Sequence, residues 1–205
     1  MRRHLSSAWK ACGFAAIASV LAPSPAEAHL VTTGLGPVYD GVSHVLMSPD
    51  DLVPILAMAL LAGLNGPAAG RRTLFALTGA WFVGGLAGYY VSQPLVPGTV
   101  TTASFLLLGA LVAADRRLSP AIVTGLALAV GGLHGWLNGA GIAEAQREPI
   151  GLVGIAVVTF VLVALVSAFV VSLRAAWARI AVRVAGSWVA AIGLLLLGWT
   201  MRGTA

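Results

Sequence analysis

The sequence predicts an all-α fold: a polytopic membrane helix bundle of six transmembrane helices that follows a cleaved signal peptide. Composition is the first observation behind this. Hydrophobic residues make up 59% of the 205 and charged residues 9%, with a mean hydropathy of +0.93, whereas a soluble domain carries about a quarter charged residues. The second is a series of long apolar segments separated by arginines, glycines and prolines. The third is a start with the three parts of an export signal.

That start divides the chain into residues 1–28, read as signal peptide, and residues 29–205, read as one six-span domain. "MRRHLSSAWK" is a basic opening, "ACGFAAIASVL" an apolar run of 11 residues, and Ala26-Glu27-Ala28 a small-x-small cleavage site. The run is far short of the roughly 20 residues of a membrane span. Cleavage after Ala28 makes His29 the new N-terminus. It also removes Cys12, the only cysteine, which leaves no disulfide, thiolate ligand or cysteine nucleophile.

Five later segments are long enough to cross a bilayer: 73–91, 96–113, 120–137, 150–172 and 182–199. The first mature segment, 52–64, has 13 residues, about 20 Å of helix against a hydrocarbon core of about 30 Å. To span, it must extend upstream and draw Asp51, Asp50 and His44 into the outer leaflet. With an exported N-terminus, seven arginines (71, 72, 116, 117, 174, 179 and 183) fall inside, and two (147 and 202) outside. This positive-inside bias agrees with the signal peptide. Both mature ends are therefore expected outside, in the periplasm, and the membrane is expected to be the bacterial cytoplasmic one. The mature charge of +3, nine basic against six acidic residues, is too small and scattered for nucleic acid. The expected partners are lipid and an ion, with self-association or a larger membrane complex left open.

Ionisable groups within a span are costly and mark functional sites. If 40–64 were one helix, Asp40, His44, Met47 and Asp51 would share a face, with Asp50 about 100° away. Pro49 is expected to bend that helix. The second cluster is "GGLHGWLNGAG", where His134 and Asn138 stand four apart and Gly131, Gly132 and Gly135 permit close helix approach. Both clusters fall in the outer half, as does His29. Imidazole with carboxylate suits a divalent ion such as nickel, cobalt or zinc. The plainer alternatives are that His44 and Asp51 satisfy each other and that Asp50 and Asp51 cap a helix. Tyr89, Tyr90, Trp136 and Trp199 fit an interfacial belt. The similarity of "GLNGPAAG" to "GWLNGAG" is compatible with an inverted repeat of three spans each.

The stretch "HVLMSPDDLVPILAMAL", a histidine followed after five residues by two polar ones at the head of an apolar helix, resembles the first motif of the HupE/UreJ family of hydrogenase and urease accessory membrane proteins. "LHGWLNGAG" resembles its second. The resemblance implies uptake of nickel, or of cobalt, without an ATPase. It matches His44 and Asp50 to the first motif and His134 to the second. Asp51 and Asn138 stand where the family usually, or in many members, has histidine; both exchanges put oxygen for imidazole and harden the site.

The expected function is a divalent-metal permease that is not an enzyme. His44, Asp50, Asp51, His134, Asn138 and His29 are its candidate ligands, the metal is substrate, and no organic cofactor is expected. Two rivals are a non-transporting scaffold subunit of a membrane metalloenzyme or respiratory complex, and a haem protein with His44 and His134 as axial ligands. Hydrolysis is disfavoured because Ser43 lacks a glycine-framed turn.

Overall fold

A computed structural model of the chain describes residues 32–92 and 98–202. The leader 1–28 and His29 lie outside the described residues. Among those described there are seven helices and no strand: α1 (Pro37–Met47), α2 (Pro49–Leu64), α3 (Pro67–Val91), α4 (Gly98–Ala114), α5 (Pro120–Glu144), α6 (Gly151–Ser172) and α7 (Ala176–Arg202). Helices α3, α5, α6 and α7 are each long and apolar enough to cross a membrane. Together α1 and α2 pass the same test as a pair bent by 75°. Helix α4, of 17 residues, is apolar but short, about 26 Å at 1.5 Å per residue. The chain is thus a multi-pass helical membrane protein with four candidate spans, or five with the bent pair as one.

Helices α3 and α7 start ahead of the apolar segments 73–91 and 182–199 because hydropathy stops at arginine whereas backbone hydrogen bonding does not. Helix α3 begins at Pro67 and includes Arg71 and Arg72; α7 begins at Ala176 and includes Arg179 and Arg183. Long cationic side chains lie along a helix and carry their charge outward, so the helix continues past them. Proline opens α1, α2, α3 and α5, where its missing N–H costs nothing. Gly66, at φ +96°, makes the tight turn from α2 into α3 that a side chain would strain.

The bend expected at Pro49 is there, and it divides 40–64 between two helices. Ser48 is extended, at φ −101° and ψ 102°, and donates its N–H to the His44 carbonyl, closing α1. Pro49 then starts α2 afresh. Restarting places Asp50 and Asp51 in a first turn, where the helix dipole favours negative charge. Pro54, inside α2, leaves the Asp50 carbonyl without its usual helical donor.

Helix α2 is the central element. Ile55, Met58, Ala59, Leu61 and Ala62 have no exposed surface, and α2 touches each of the other six helices. The remaining helices pack as close pairs. Helices α3 and α5 run parallel: Gly131 meets Leu77, Gly135 meets Trp81, and Gly139 meets Gly85. Helices α4 and α7 run antiparallel, with Gly109 against Ala190 and Gly193 against Leu106. Helix α6 lies antiparallel to α3, with Gly70 against Ser167 and Gly85 against Leu152, while Gly154 packs on Val38 of α1. Small residues at such seams let helices approach where burial from lipid provides little drive.

Polar ties gather the turns at two ends. At the arginine-rich end, the Leu118 N–H donates to Asn65 Oδ1 at 2.7 Å. There Arg179 also donates to both Asp115 oxygens at 2.7 Å and to the Leu64 carbonyl at 3.4 Å. At the opposite end, Arg147 donates to Thr32 Oγ1 at 2.6 Å and lies 3.6 Å from Asp40. The helix flanks carry Phe75, Leu165, Trp188 and Leu195, all well exposed, as a lipid-facing surface does. Tyr90 and Trp199 are exposed as belt residues, whereas Tyr89 and Trp136 are partly buried.

A buried Asp51 cluster as the candidate functional site

The break at Ser48 folds the end of α1 back on the start of α2, so His44 and Asp51 meet across it. His44 Nε2 lies 3.3 Å from Asp51 Oδ2. From α5, His134 Nδ1 lies 3.4 Å from Asp51 Oδ1, and Asn138 Nδ2 donates to Asp51 Oδ2 at 2.9 Å. One carboxylate on α2 therefore gathers two imidazoles and an amide from α1 and α5. Asp51 is 4% exposed and His134 2%.

Each imidazole is held at both nitrogens. His44 Nδ1 lies 3.4 Å from Ser48 Oγ, and His134 Nε2 lies 3.1 Å from Ser104 Oγ of α4. Trp81 of α3, fully buried, closes the other side. Its Nε1 donates to Asn138 Oδ1 at 3.0 Å, which turns the Asn138 amide N–H toward Asp51. Its ring stacks on His134 with centroids 5.4 Å apart and planes at 30°. Buried polar groups demand this degree of satisfaction, because an unpaired one in an apolar interior costs about 1–3 kcal/mol.

Of the six candidate ligands, four come together: His44, Asp51, His134 and Asn138. Asp50, one residue from Asp51, is exposed and stands apart; consecutive helical residues point about 100° apart. His29 lies outside the described residues. Trp81, Ser104 and Ser48 join the cluster without having been singled out by sequence. The signal available for Trp81 was an indole in the middle of a span, which needs a partner for its N–H. The serines gave none. The two Asn-Gly segments play different parts: Asn138 joins the cluster, while Asn65 ties the α4–α5 turn at the arginine-rich end.

As it stands, the cluster is a closed hydrogen-bonded unit. Among the described residues, no three His, Cys, Asp or Glu side chains are set around a common point as ligands of an ion. Two imidazoles and a carboxylate are nonetheless donors that suit divalent transition metals, with serines beside the imidazoles, whereas the Asn138 amide oxygen is turned to Trp81. The geometry gives no support to a bis-imidazole haem, since the Asp51 carboxylate stands between the two rings.

Trp81→Phe keeps an aromatic ring on His134 but leaves Asn138 Oδ1 without its donor. The expected loss is about 1–2 kcal/mol of stability, read as a lowered thermal midpoint in detergent. An unchanged midpoint would mean that the bond contributes nothing.

The fold and the cluster define a class: a polytopic α-helical membrane protein with a buried His–Asp–His–Asn centre at the head of a broken helix. Within that class, the family model for HupE / UreJ protein matches residues 17–196, and the chain belongs to that family. No curated protein and no solved structure matches the chain.

Proposed function

We propose that the chain is a permease for a divalent transition-metal ion, nickel first and cobalt next, in the bacterial cytoplasmic membrane. The observation that carries this is the Asp51 cluster. A carboxylate and two imidazoles within a membrane bundle are expensive and mark ion pathways, and family membership links the chain to nickel and cobalt handling. The ion would enter from the periplasmic side, with both mature termini on that side, and displace the hydrogen bonds that His44, His134 and Asn138 make to Asp51. Asp51 and Asn138, which put oxygen where the family usually or often has histidine, make cobalt and harder ions more plausible beside nickel. The sequence contains no phosphate-binding loop; the driving force would be the membrane potential, about 2.3 kcal/mol per charge per 100 mV and twice that for a dication, or trapping of the ion inside the cell. No catalytic step and no organic cofactor belong to this proposal.

A second reading, a non-transporting accessory or scaffold subunit, draws on the same cluster being fully hydrogen-bonded in its present arrangement. Uptake separates the two. Cells expressing the chain are tested with nickel, cobalt, manganese, zinc and copper against the double variant His44→Ala, His134→Ala, with membrane levels matched. Uptake of one ion that disappears in the variant is expected. Absence of uptake of all five by properly inserted protein overturns the permease, and stable co-purification with a larger assembly would then favour the scaffold.

A further inference from the structure

Among the described residues, helical hydroxyls commonly bond back to a carbonyl of their own helix, and three buried ones have no partner. Thr124 donates to the Pro120 carbonyl at 2.7 Å, Ser104 to Thr101 at 2.6 Å, Ser172 to Phe169 at 2.7 Å and Ser187 to Arg183 at 3.1 Å. This back-bonding is how serine and threonine are normally accommodated inside helices. Thr73 and Thr78 of α3 and Thr159 of α6 are buried at their hydroxyls and have no hydrogen-bond partner. Thr73 and Thr159 have no exposed surface at all. Valine would fill the same space without the cost of an unpaired hydroxyl.

Their positions are ordered. Gly70 against Ser167 and Gly85 against Leu152 fix the antiparallel register of α3 and α6. In that register Thr159 stands level with Leu77 and Thr78, one turn, about 5 Å, from Trp81 toward the arginine-rich end. Thr73 follows about 8 Å further along, and Ser167 about 5 Å beyond it. Ser167 is itself buried, at 6% exposure. In depth, the hydroxyls thus descend from near the wall of the Asp51 cluster to the far end. Leu77 and Val163, both fully buried, stand at depths between them, so the core is closed here in this conformation.

We infer that Thr73, Thr159 and Ser167 line the exit track of the bundle, a seam between α3 and α6 that hydrates when it opens and along which a partly hydrated cation leaves the Asp51 cluster. The cargo rests on the permease reading; the hydration of the seam does not. Single cysteines at the two threonines, in a chain with Cys12→Ala, are nearly isosteric and test it directly. Leu165, on α6 about level with Thr73 in this register but 64% exposed, is the control. In inverted membrane vesicles, Thr73→Cys and Thr159→Cys should react with a small positively charged methanethiosulfonate about tenfold faster or more than Leu165→Cys, because a charged reagent reaches water-filled seams and not lipid. Labelling at the Leu165→Cys rate overturns the track, whatever the uptake assay shows. Thr73→Val with Thr159→Val should lower the initial uptake rate about tenfold and leave equilibrium metal binding unchanged, since the variant loses only hydroxyls below the cluster. Full-rate uptake by that pair also overturns the track and leaves the permease standing.

Discussion

On the permease reading, Asp51→Asn should abolish metal uptake, by at least about 100-fold given what even indirect damage to a metal site costs, while Asp50→Asn should stay within about twofold of the parent. The two residues are neighbours in sequence and alike in chemistry, so the contrast isolates position. Asp51 is buried under His44, His134 and Asn138; Asp50 is exposed. Asparagine keeps the shape of aspartate and one acceptor oxygen, so Asp51→Asn should still fold. Asp51→Ala is a harsher test. It removes the shared acceptor and leaves buried donors unpaired at about 1–3 kcal/mol each, and the expected loss is about 3 kcal/mol or more. Uptake assays on membrane-matched cells and thermal unfolding of the purified variants give both numbers. Should Asp50→Asn abolish uptake and Asp51→Asn leave it intact, the buried cluster is not the ion's site.

That contrast also marks where sequence reasoning stopped. The cost of charge in a span and the i, i+4 spacing of His134 and Asn138 were enough to pick out four residues that meet. Choosing between Asp50 and Asp51 was not possible from spacing, because the answer depends on how the chain restarts after Ser48. Matching to the family motif favours Asp50, yet it is the position where the family usually has histidine that the fold turns inward. Trp81 and Ser104 were invisible for a different reason. They reach the cluster over 57 and 30 residues of sequence, a pairing decided by which helices share a seam. Apolar segments marked the spans but not the full helices where arginine interrupts hydropathy without interrupting the helix, as at the starts of α3 and α7. The all-helical, multi-pass architecture was legible because it follows from composition and segment length alone.

The second large effect lies outside the cluster. Gly139→Ala adds one methyl group, yet the bundle should lose α3–α5 packing and with it the site. A Cβ at Gly139 would sit on the Gly85 carbonyl oxygen, with the Tyr89 nitrogen 2.8 Å away. Both neighbours are backbone, so no side chain can rotate aside and α3 itself must withdraw. Overpacking costs about 1–3 kcal/mol where side chains can yield, and more is expected here. Withdrawal of α3 carries Trp81 with it, since Trp81 packs one to two turns along the same seam against Gly135. The indole then leaves Asn138, and Asn138 is no longer turned toward Asp51. Gly132→Ala, on the same helix, is the control: its Cβ would meet nothing within 4 Å, and replacing a helical glycine by alanine gains about 0.5–1 kcal/mol. Yield of monodisperse protein and the thermal midpoint should fall sharply for Gly139→Ala and hold or rise for Gly132→Ala. Equal tolerance of both would mean that α3 and α5 do not approach this closely, and the hold of Trp81 on Asn138 would lose its basis. The polar centre of this protein is therefore set by a contact between two glycines, since only backbones this close bring the indole of one helix within reach of the amide of the next.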